Sequence, residues 1–520
     1  MKSYNDHLNS IKKSVNKNLG VFRSSAIFSV IINDKIDTEI SFLSYWFLKR
    51  KIKKIIFNIV LRDRTGNKIV IKKINISFTK VFNFSVRRLL SLTPYKLDNE
   101  NFIGSIELEF LSRVNMVFPF PAVMINLKSK NSSAFVHTCG RIFNNKFDQI
   151  QNTKFLVPES GFDLLPNKNF QPFFSFVNGK KILKNIKINL ELINSFGEKI
   201  NKSFYFKTIQ PFETNFVFFL SNNEKNFLRN KKGIVKIYHN FKNFYPRFMA
   251  GNFHNDYDLS TLTHTYYDLS KLKDKDVNIW KNPDRKKYFD SSVAVPIYLN
   301  KRRTELAVYP TYFNRSFYLK IFIDLNGKLT SIFSKKINNL NKPLYLNLSD
   351  KCQKYGKLIK KKILFGKIIC SNPTGIPSRI KFGLNIFSET KINIPSNVCF
   401  NTFLPIHNGE KKPGTFRWGF VNPNKNFEII IINNSYLKKG NKEANIKIKF
   451  WNEKKDNFVQ FFRKIKNQEV KVIKPNNKLL PHNFFLRENY WFTIESDNPF
   501  LSGYFVNFNK NGLVGAEHFF

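Results

Sequence analysis

Apolar and polar residues alternate in short runs along most of this chain, which is the pattern of β-strands with one buried face. Three stretches show it most clearly, because in each of them two alternating runs flank a turn that contains glycine: KKIIFNIVLRDRTGNKIVIKKI (53–74), NIKINLELINSFGEKINKSFYF (185–206) and SFYLKIFIDLNGKLTSIFS (316–334). A glycine turn between alternating apolar residues is a strong signal for a β-hairpin. The pattern therefore predicts three long hairpins.

The hairpins recur at a nearly constant period. Their turn glycines, Gly66, Gly197 and Gly327, lie 131 and 130 residues apart. A self-similar pattern at a fixed period indicates a repeated structural unit. We therefore expect about four units, at residues 26–150, 151–280, 281–395 and 396–520, behind a polar N-terminal arm at residues 1–25.

Two further features support the repeat. Gly104, Gly233 and Gly366 each open an alternating run that leads to a proline-containing bend, and YWFTIESDNPFLSGYF (490–505) repeats this plan without the glycine. In addition, FFSFVNGK resembles FRWGFVNPNK, since both have Phe-Val-Asn before a turn. We expect both features to occupy equivalent places in their units.

Helical periodicity is almost absent. SYNDHLNSIKKSVNKN (3–18) and SVRRLLSL (85–92) are the two stretches with helical spacing. Units of this size with many short strands are typical of β-sandwiches. The predicted fold class is all-β, a tandem array of about four immunoglobulin-like or jelly-roll-like sandwiches.

The chain is strongly basic, with 86 Lys and Arg against 37 Asp and Glu and a formal net charge of +49. Such a charge attracts polyanions in general, although the many Lys and few Arg also fit a bias toward A/T-rich codons. Basic segments such as KRKIKK (49–54) are short and flanked by apolar runs, which favours lysine-protected strand edges over a nucleic-acid-binding arm. The four cysteines have no metal-binding spacing, and we expect buried thiols.

The N-terminal segment has no apolar core, and no apolar run has the length of a membrane-spanning helix. We expect no integral membrane segment and a cytoplasmic location by default, with association to a cell envelope left open.

A His-Thr pair occurs twice, as His137 in AFVHTCGRIF and as His264 in TLTHTYYDLS. Both pairs lie late in their units, and His518 in VGAEHFF lies at the corresponding end of the fourth unit. The third unit has FSETK (387–391) at the place that we align with them, without a histidine. We interpret the pair as the shared closing strand of the repeat, with the histidine packed against aromatic rings.

The stretch GNFHNDYDLSTLTHTYYD (251–268) contains the best candidate site. His254, Asp256 and Asp258 share one face of an extended segment, because side chains alternate along a strand. With His264 from the next strand they could bind a divalent cation. The same acids could instead bind sugar hydroxyls beside Tyr266 and Tyr267, and the alternative to both is a polar hairpin whose acids cap turns.

The usual catalytic motifs, GxSxG, HExxH, GxxxxGK[ST] and GxGxxG, do not occur. The sequence therefore favours a non-catalytic binding or structural protein. Its expected ligand is a carbohydrate, either acidic or surface polysaccharide, or else a protein partner, which could be a second copy of the chain. One alternative is an enzyme that acts on polysaccharide through residues 251–268. A second alternative is nucleic-acid binding through the basic surface.

Overall fold

The computed structural model describes residues 2–3, 20–95, 101–137, 140–148, 161–229, 231–241, 244–245, 247–256, 258–265, 279–281, 289–310, 316–338, 340–355, 362–373, 375–377, 380–388, 392–402, 414–423, 426–435, 443–475, 479–481, 484 and 489–520.

Eight four-stranded antiparallel sheets make up most of the described part of the chain, two sheets to each of four units. When the eight strands of a unit are numbered along the sequence, one sheet has the order 1-6-3-4 and the other has the order 5-2-7-8, in every unit. We call these the outer and the inner sheet. The all-β array of sandwiches predicted from the sequence is confirmed. The strand order differs from the ABED and CFG order of constant-type immunoglobulin domains.

Unit 1 contains strands β1 to β8 and two short helices. The helix predicted over 85–92 is confirmed as a single turn, whose N-terminus is capped by the Ser85 hydroxyl accepting from the Arg88 backbone N–H at 3.0 Å. Apart from Ser3, the helix predicted over 3–18 lies outside the described residues. The elements of unit 1 are β1 Arg23–Ile32, β2 Asp37–Leu43, α1 Trp46–Lys49, β3 Ile55–Asp63, β4 Lys68–Ile76, β5 Val81–Ser85, α2 Val86–Leu90, β6 Phe102–Leu111, β7 Met124–Lys128 and β8 Ser133–His137.

Unit 2 repeats the plan with one helix. The Glu224 carboxylate in the first turn of that helix accepts from the backbone N–H of Ser221 at 2.6 Å. The elements of unit 2 are β9 Gly161–Leu164, β10 Phe170–Val177, β11 Leu183–Ile193, β12 Lys199–Ile209, β13 Thr214–Phe218, α3 Asn222–Leu228, β14 Gly233–Tyr238, β15 Met249–His254 and β16 Ser260–His264.

Unit 3 ends later than the sequence predicts. Its last strand pairs with Lys381–Phe387, whereas the predicted boundary at residue 396 assigns that strand to the fourth unit. The elements of unit 3 are β17 Phe289–Tyr298, β18 Arg303–Val308, β19 Phe317–Leu325, β20 Lys328–Ile337, β21 Leu344–Asn347, α4 Leu348–Gln353, β22 Ile363–Asn372, β23 Lys381–Phe387 and β24 Ser396–Asn401.

Unit 4 contains eight strands and no α-helix among its described residues. They are β25 Thr415–Val421, β26 Phe427–Asn433, β27 Ala444–Trp451, β28 Phe458–Ile465, β29 Val470–Ile473, β30 Tyr490–Ser496, β31 Leu501–Phe508 and β32 Val514–His518. Five short strands lie outside the sandwiches in the described part of the chain, at Lys2–Ser3, Arg141–Ile142, Phe244–Tyr245, Ile279–Lys281 and Gly375–Pro377.

Most features of the predicted repeat are confirmed by the strand positions. The three hairpins are β3–β4, β11–β12 and β19–β20, the third and fourth strands of their units. Gly104, Gly233 and Gly366 all lie in the sixth strand, and Tyr490–Ser496 is the sixth strand of unit 4. The Phe-Val-Asn copies are not equivalent, because one lies at the end of the second strand of unit 2 and the other at the end of the first strand of unit 4.

The four units form a closed ring rather than an open row. The eighth strands, which we call the closing strands, contact one another in the order β8, β16, β24, β32 and back to β8. The hydrophobic cores are shared accordingly. One cluster of buried residues joins units 1, 2 and 4, a second joins units 3 and 4, and a third joins units 2 and 3. Units 1 and 2 are also joined by pairing of Arg141–Ile142 with Phe244–Tyr245. The ring therefore buries apolar surface that each sandwich would expose alone.

A buried asparagine recurs in the seventh strand of each unit, next to an apolar residue. The side-chain NH2 group of each one donates to a neighbouring polar side chain, which gives this buried donor a partner. The four are Asn126, Asn252, Asn385 and Asn507, with the acceptors Glu39, Thr261, Glu305 and Asn509 respectively. This marker of the repeat was not predicted from the alternation or from the glycine turns.

Lysines lie along the free edges of the outer sheets, although not in the segment for which the sequence predicts them there. The fourth strands β4, β12, β20 and β28 are edge strands with exposed basic side chains. The KRKIKK segment itself lies at the end of α1 and in the loop before β3. No helix among the described residues is long and apolar enough to cross a membrane. Cys352, Cys370 and Cys399 are buried thiols without a disulfide.

Candidate functional site

Three histidines meet where the closing strands of units 1, 2 and 4 end. His137, His264 and His518 are the last residues of β8, β16 and β32. Each pairs with a residue of the preceding strand in the same antiparallel hairpin arrangement, so the three occupy equivalent places. Because the closing strands lie against one another at the centre of the ring, equivalent positions come together. We call these three residues and Glu517 the histidine junction.

The side chains of the histidine junction are in direct contact. His137 Nδ1 lies 2.6 Å from Glu517 Oε2. The ring of His137 meets the ring of His264 edge to face at a centroid distance of 4.5 Å, and the centroid of His518 lies 5.2 Å from that of His137. One donor atom each of His137, His264 and Glu517 lie within 4.8 Å of one another. Two of these residues come from the repeated His-Thr pair of the sequence.

Hydrogen bonds to the backbone define the tautomers of two imidazoles. His264 Nδ1 lies 2.7 Å from the carbonyl oxygen of Thr265, and His518 Nδ1 lies 2.9 Å from that of Phe519. A carbonyl oxygen only accepts, so Nδ1 has the proton in both rings. The lone pair of the neutral ring is then on Nε2, which is the arrangement of metal-binding histidines that donate to a backbone carbonyl.

Burial and mutual interaction alter the acid–base behaviour of the junction. Burial lowers the pKa of His264 well below its usual range, and the charges of His137 and Arg247 add to this effect. Burial alone raises the pKa of Glu517, but its charge interaction and hydrogen bond with His137 outweigh that effect and hold the pKa below the usual range. The carboxylate of Glu517 is therefore ionised, and the imidazole of His264 is neutral.

A cavity of about 300 Å³ adjoins the junction. The three histidines line it together with two guanidinium groups, those of Arg247 and Arg417. The wall from unit 3 includes Asn401, which ends its closing strand at the place of the histidines. The prediction that FSETK (387–391) occupies this place is wrong: Phe387 ends the seventh strand, and the closing strand follows at 396–401.

The structure only partly assembles the predicted site at 251–268. His254 Nδ1 lies 2.8 Å from Asp258 Oδ1 and 3.7 Å from Asp256 Oδ2, and the Asp256 side chain is 70% exposed. His264 lies at the opposite end of the β15–β16 hairpin, paired with Met249, so it does not join them. Tyr266 and Tyr267 lie outside the described residues. Within the described part of the chain, the group of three metal-binding side chains with mutually close donor atoms is the one at the junction.

Glu517 was not identified from the sequence. The sequence nevertheless contains a signal for it, because VGAEH is an apolar closing strand with a single acid. At the same place, immediately before the histidine, unit 1 has Val136 and unit 2 has Thr263. A lone carboxylate in a buried strand requires a partner. The backbone N–H of His518 donates to Glu517 Oε1 at 3.0 Å, but the partner of Oε2, His137, lies 380 residues earlier in the sequence and is supplied by the ring.

A groove of about 1160 Å³ lies where the outer sheet of unit 4 meets α1 of unit 1, and we call it the basic groove. Its lining combines five cations, two carboxylates and exposed aromatic surface. The charged residues are Lys51, Lys447, Lys449, Arg463, Lys464, Glu495 and Asp497.

The charges of the basic groove are unevenly balanced. Lys447 Nζ lies 2.9 Å from Glu495 Oε2. Burial lowers the pKa of Lys449, and the positive charges of Lys447 and Lys51 lower it further against the opposing effect of Glu495. With five cations against two carboxylates, the lining of the groove has a formal excess of three positive charges.

The floor of the basic groove is held in place by backbone and side-chain contacts. Asp497 accepts from the backbone N–H and the side-chain amide of Asn445, at 3.0 and 2.7 Å. At the rim, the Phe462 side chain is 64% exposed. The groove therefore offers a fixed polar floor and a free apolar ring.

No protein-family model matches the chain, and no curated protein is significantly similar to it. The fold and the two sites therefore define the class: an all-β ring of four sandwiches with a basic groove on its surface and a histidine junction at its centre.

Proposed function

We propose that the protein is a non-catalytic binding protein whose basic groove holds an acidic polysaccharide. The observation on which this rests is that cations, carboxylates and an exposed phenyl ring line one groove. Each residue of an acidic polysaccharide has an anionic group and several hydroxyls, and the groove offers a complementary partner for both.

The cations supply attraction and the carboxylates supply selectivity. Arg463 and Lys464 are exposed on β28, where they can pair with carboxylate or sulfate groups of a sugar. Glu495 and Asp497 can accept hydrogen bonds from hydroxyls, as ionised carboxylates do. A DNA backbone brings phosphates but no hydroxyls, so the two carboxylates would repel it without a backbone hydroxyl from which to accept a hydrogen bond.

The exposed aromatic ring favours the same ligand. An exposed phenyl ring offers a flat apolar surface on which the apolar face of a sugar ring can pack. Phe462 and Lys464 lie on the same face of β28, because side chains alternate along a strand. One sugar could therefore place its apolar face on the ring and its anionic group on Lys464.

The test uses two matched charge reversals in the full chain. The first double variant, Arg463→Glu with Lys464→Glu, alters the basic groove. The second, Lys335→Glu with Lys336→Glu, alters the equivalent place in unit 3. The two places are equivalent because each pair of cations comes directly before the last isoleucine of a fourth strand. Both double variants change the net charge by the same amount. Only the first is expected to weaken binding of polygalacturonate, by about tenfold or more, which is about 1.4 kcal/mol.

Single-stranded DNA and neutral dextran serve as the comparison ligands in the same titration. Equal loss of polygalacturonate binding in both double variants would show attraction by net charge alone and overturn the proposal. Binding of DNA more tightly than polygalacturonate, with the steep salt dependence of counterion release, would replace it with nucleic-acid binding.

A further inference from the structure

We infer that the histidine junction is a binding site for one divalent transition-metal ion such as Zn²⁺, with His137, His264 and Glu517 as its protein ligands. These residues belong to three different strands and to units 1, 2 and 4. Their donor atoms lie within 4.8 Å of one another. The inference is separate from the basic groove and does not depend on it.

The set of ligands is one that zinc prefers. Two imidazoles and a carboxylate form a recognised three-ligand zinc site, which leaves a fourth position open. Two ligands of one tetrahedral zinc ion are about 3.4 Å apart, given bonds of about 2.0–2.1 Å. Small side-chain rotations are therefore enough to close the junction around an ion.

The surroundings prepare these side chains for a metal. The Nδ1–H of His264 donates to the Thr265 carbonyl, which places the lone pair on Nε2. The Glu517 side chain is only 4% exposed, and its Oε2 already lies 2.6 Å from His137 Nδ1. On binding, the ion takes the place of the proton between His137 Nδ1 and Glu517 Oε2, and that proton leaves to solvent.

The two guanidinium groups of the adjoining cavity influence which fourth ligand the metal ion would take. Arg247 and Arg417 line the cavity and repel a bound dication. An anionic ligand in the fourth position, such as hydroxide or chloride, offsets this repulsion. The cavity of about 300 Å³ gives room for such a ligand.

A metal ion at the histidine junction would stabilise the closed ring. It joins the closing strands of units 1, 2 and 4 at a single point, so it stabilises the closed arrangement and not one sandwich alone. Because the ligands come together only in the folded ring, binding should raise the temperature of unfolding.

The experiment is a titration of the metal-free full chain with Co²⁺, which gives visible absorption bands when imidazole and carboxylate bind it, followed by displacement with Zn²⁺. We expect one ion per chain. His264→Ala and Glu517→Gln are expected to weaken binding at least about 100-fold. His254→Ala is the control, because that histidine lies at the far end of the β15–β16 hairpin beside Asp258, and it should bind as the unaltered chain does.

Circular dichroism shows whether a variant that has lost metal binding is still folded. If His264→Ala does not fold, Glu517→Gln tests the site instead, because glutamine has the same shape as glutamate. Absence of Co²⁺ bands in the unaltered chain would overturn the inference. So would bands that persist in Glu517→Gln or that disappear in His254→Ala.

Discussion

The indole N–H of Trp491 in unit 4 donates to the hydroxyl of Ser41 in unit 1 at 2.8 Å, across 450 positions of the sequence. Both side chains are buried. The neighbouring Tyr45 and Trp418 stack at a centroid distance of 4.6 Å across the same boundary. The first and last sandwiches are thus held together by specific contacts, which is what closes the ring.

Replacing Ser41 by alanine should cost about 1–3 kcal/mol of stability, because the buried indole N–H of Trp491 then loses its acceptor. Denaturant unfolding of the purified variant measures the loss. Thr493→Val is the matched control: it removes a similar bond, from Trp451 Nε1 at 3.0 Å, inside unit 4 alone. Hydrogen exchange should rise in both β2 and β30 for Ser41→Ala only. Equal exchange in the two variants would mean that the Ser41 bond does not hold the units together.

The turn glycines of the repeated hairpins should respond differently to substitution. Gly66 and Gly327 have similar positive φ angles, 96° and 88°. A Cβ on Gly66 would lie 2.2 Å from the carbonyl oxygen of Pro211 in unit 2, whereas a Cβ on Gly327 has no neighbour within 4 Å. Gly327→Ala should therefore cost about 1 kcal/mol of backbone strain, and Gly66→Ala clearly more.

Thermal unfolding of the two alanine variants tests this difference. The extra loss in Gly66→Ala should appear as looser contact between units 1 and 2, seen as faster proteolysis near residues 210–214. If the two variants unfold at the same temperature, the hairpin of unit 1 does not depend on its contact with unit 2.

Asp163 should make the contact between units 2 and 3 sensitive to pH. Its carboxylate accepts from the amides of Asn385 and Asn397 at 3.2 and 3.3 Å. Burial is the main cause that raises its pKa from 3.8 to about 7, and the charge of Glu305 adds to it while the amide of Asn385 and the charge of Lys232 oppose it. The folded protein thus holds this proton more tightly than the unfolded chain does.

The stabilisation from Asp163 is therefore complete below its ordinary pKa and is lost as the pH rises toward about 7. A shift of about 3 units corresponds to at most about 4 kcal/mol. The measurement is the difference in urea midpoint between the unaltered chain and Asp163→Asn. This difference should decrease as the pH is raised from 4 to 7 and should stay constant above pH 7. Asp34→Asn, at an exposed carboxylate, is the control. A difference that does not vary with pH would show that Asp163 keeps its ordinary pKa in the folded protein.

Local patterns were sufficient to predict the elements of each sandwich. Alternation and the glycine turns gave the three hairpins, since a hairpin is determined by residues close together in sequence. The recurrence of Gly104, Gly233 and Gly366 correctly identified the sixth strand. The alignment failed where it rested on composition, as for Phe-Val-Asn and for the closing strand of unit 3, because a single strand gives too little signal to identify its place in a unit.

The sequence by itself determined that this chain is an array of β-sandwiches and that His137 and His264 end equivalent strands. Only the tertiary structure decided that the array closes into a ring, that Glu517 lies 2.6 Å from His137, and that His254 and His264 lie apart. The physical reason is the distance along the sequence over which the residues interact. Strand periodicity depends on neighbouring residues, whereas docking of sandwiches depends on whole faces whose residues lie hundreds of positions apart and are matched only after each unit has folded.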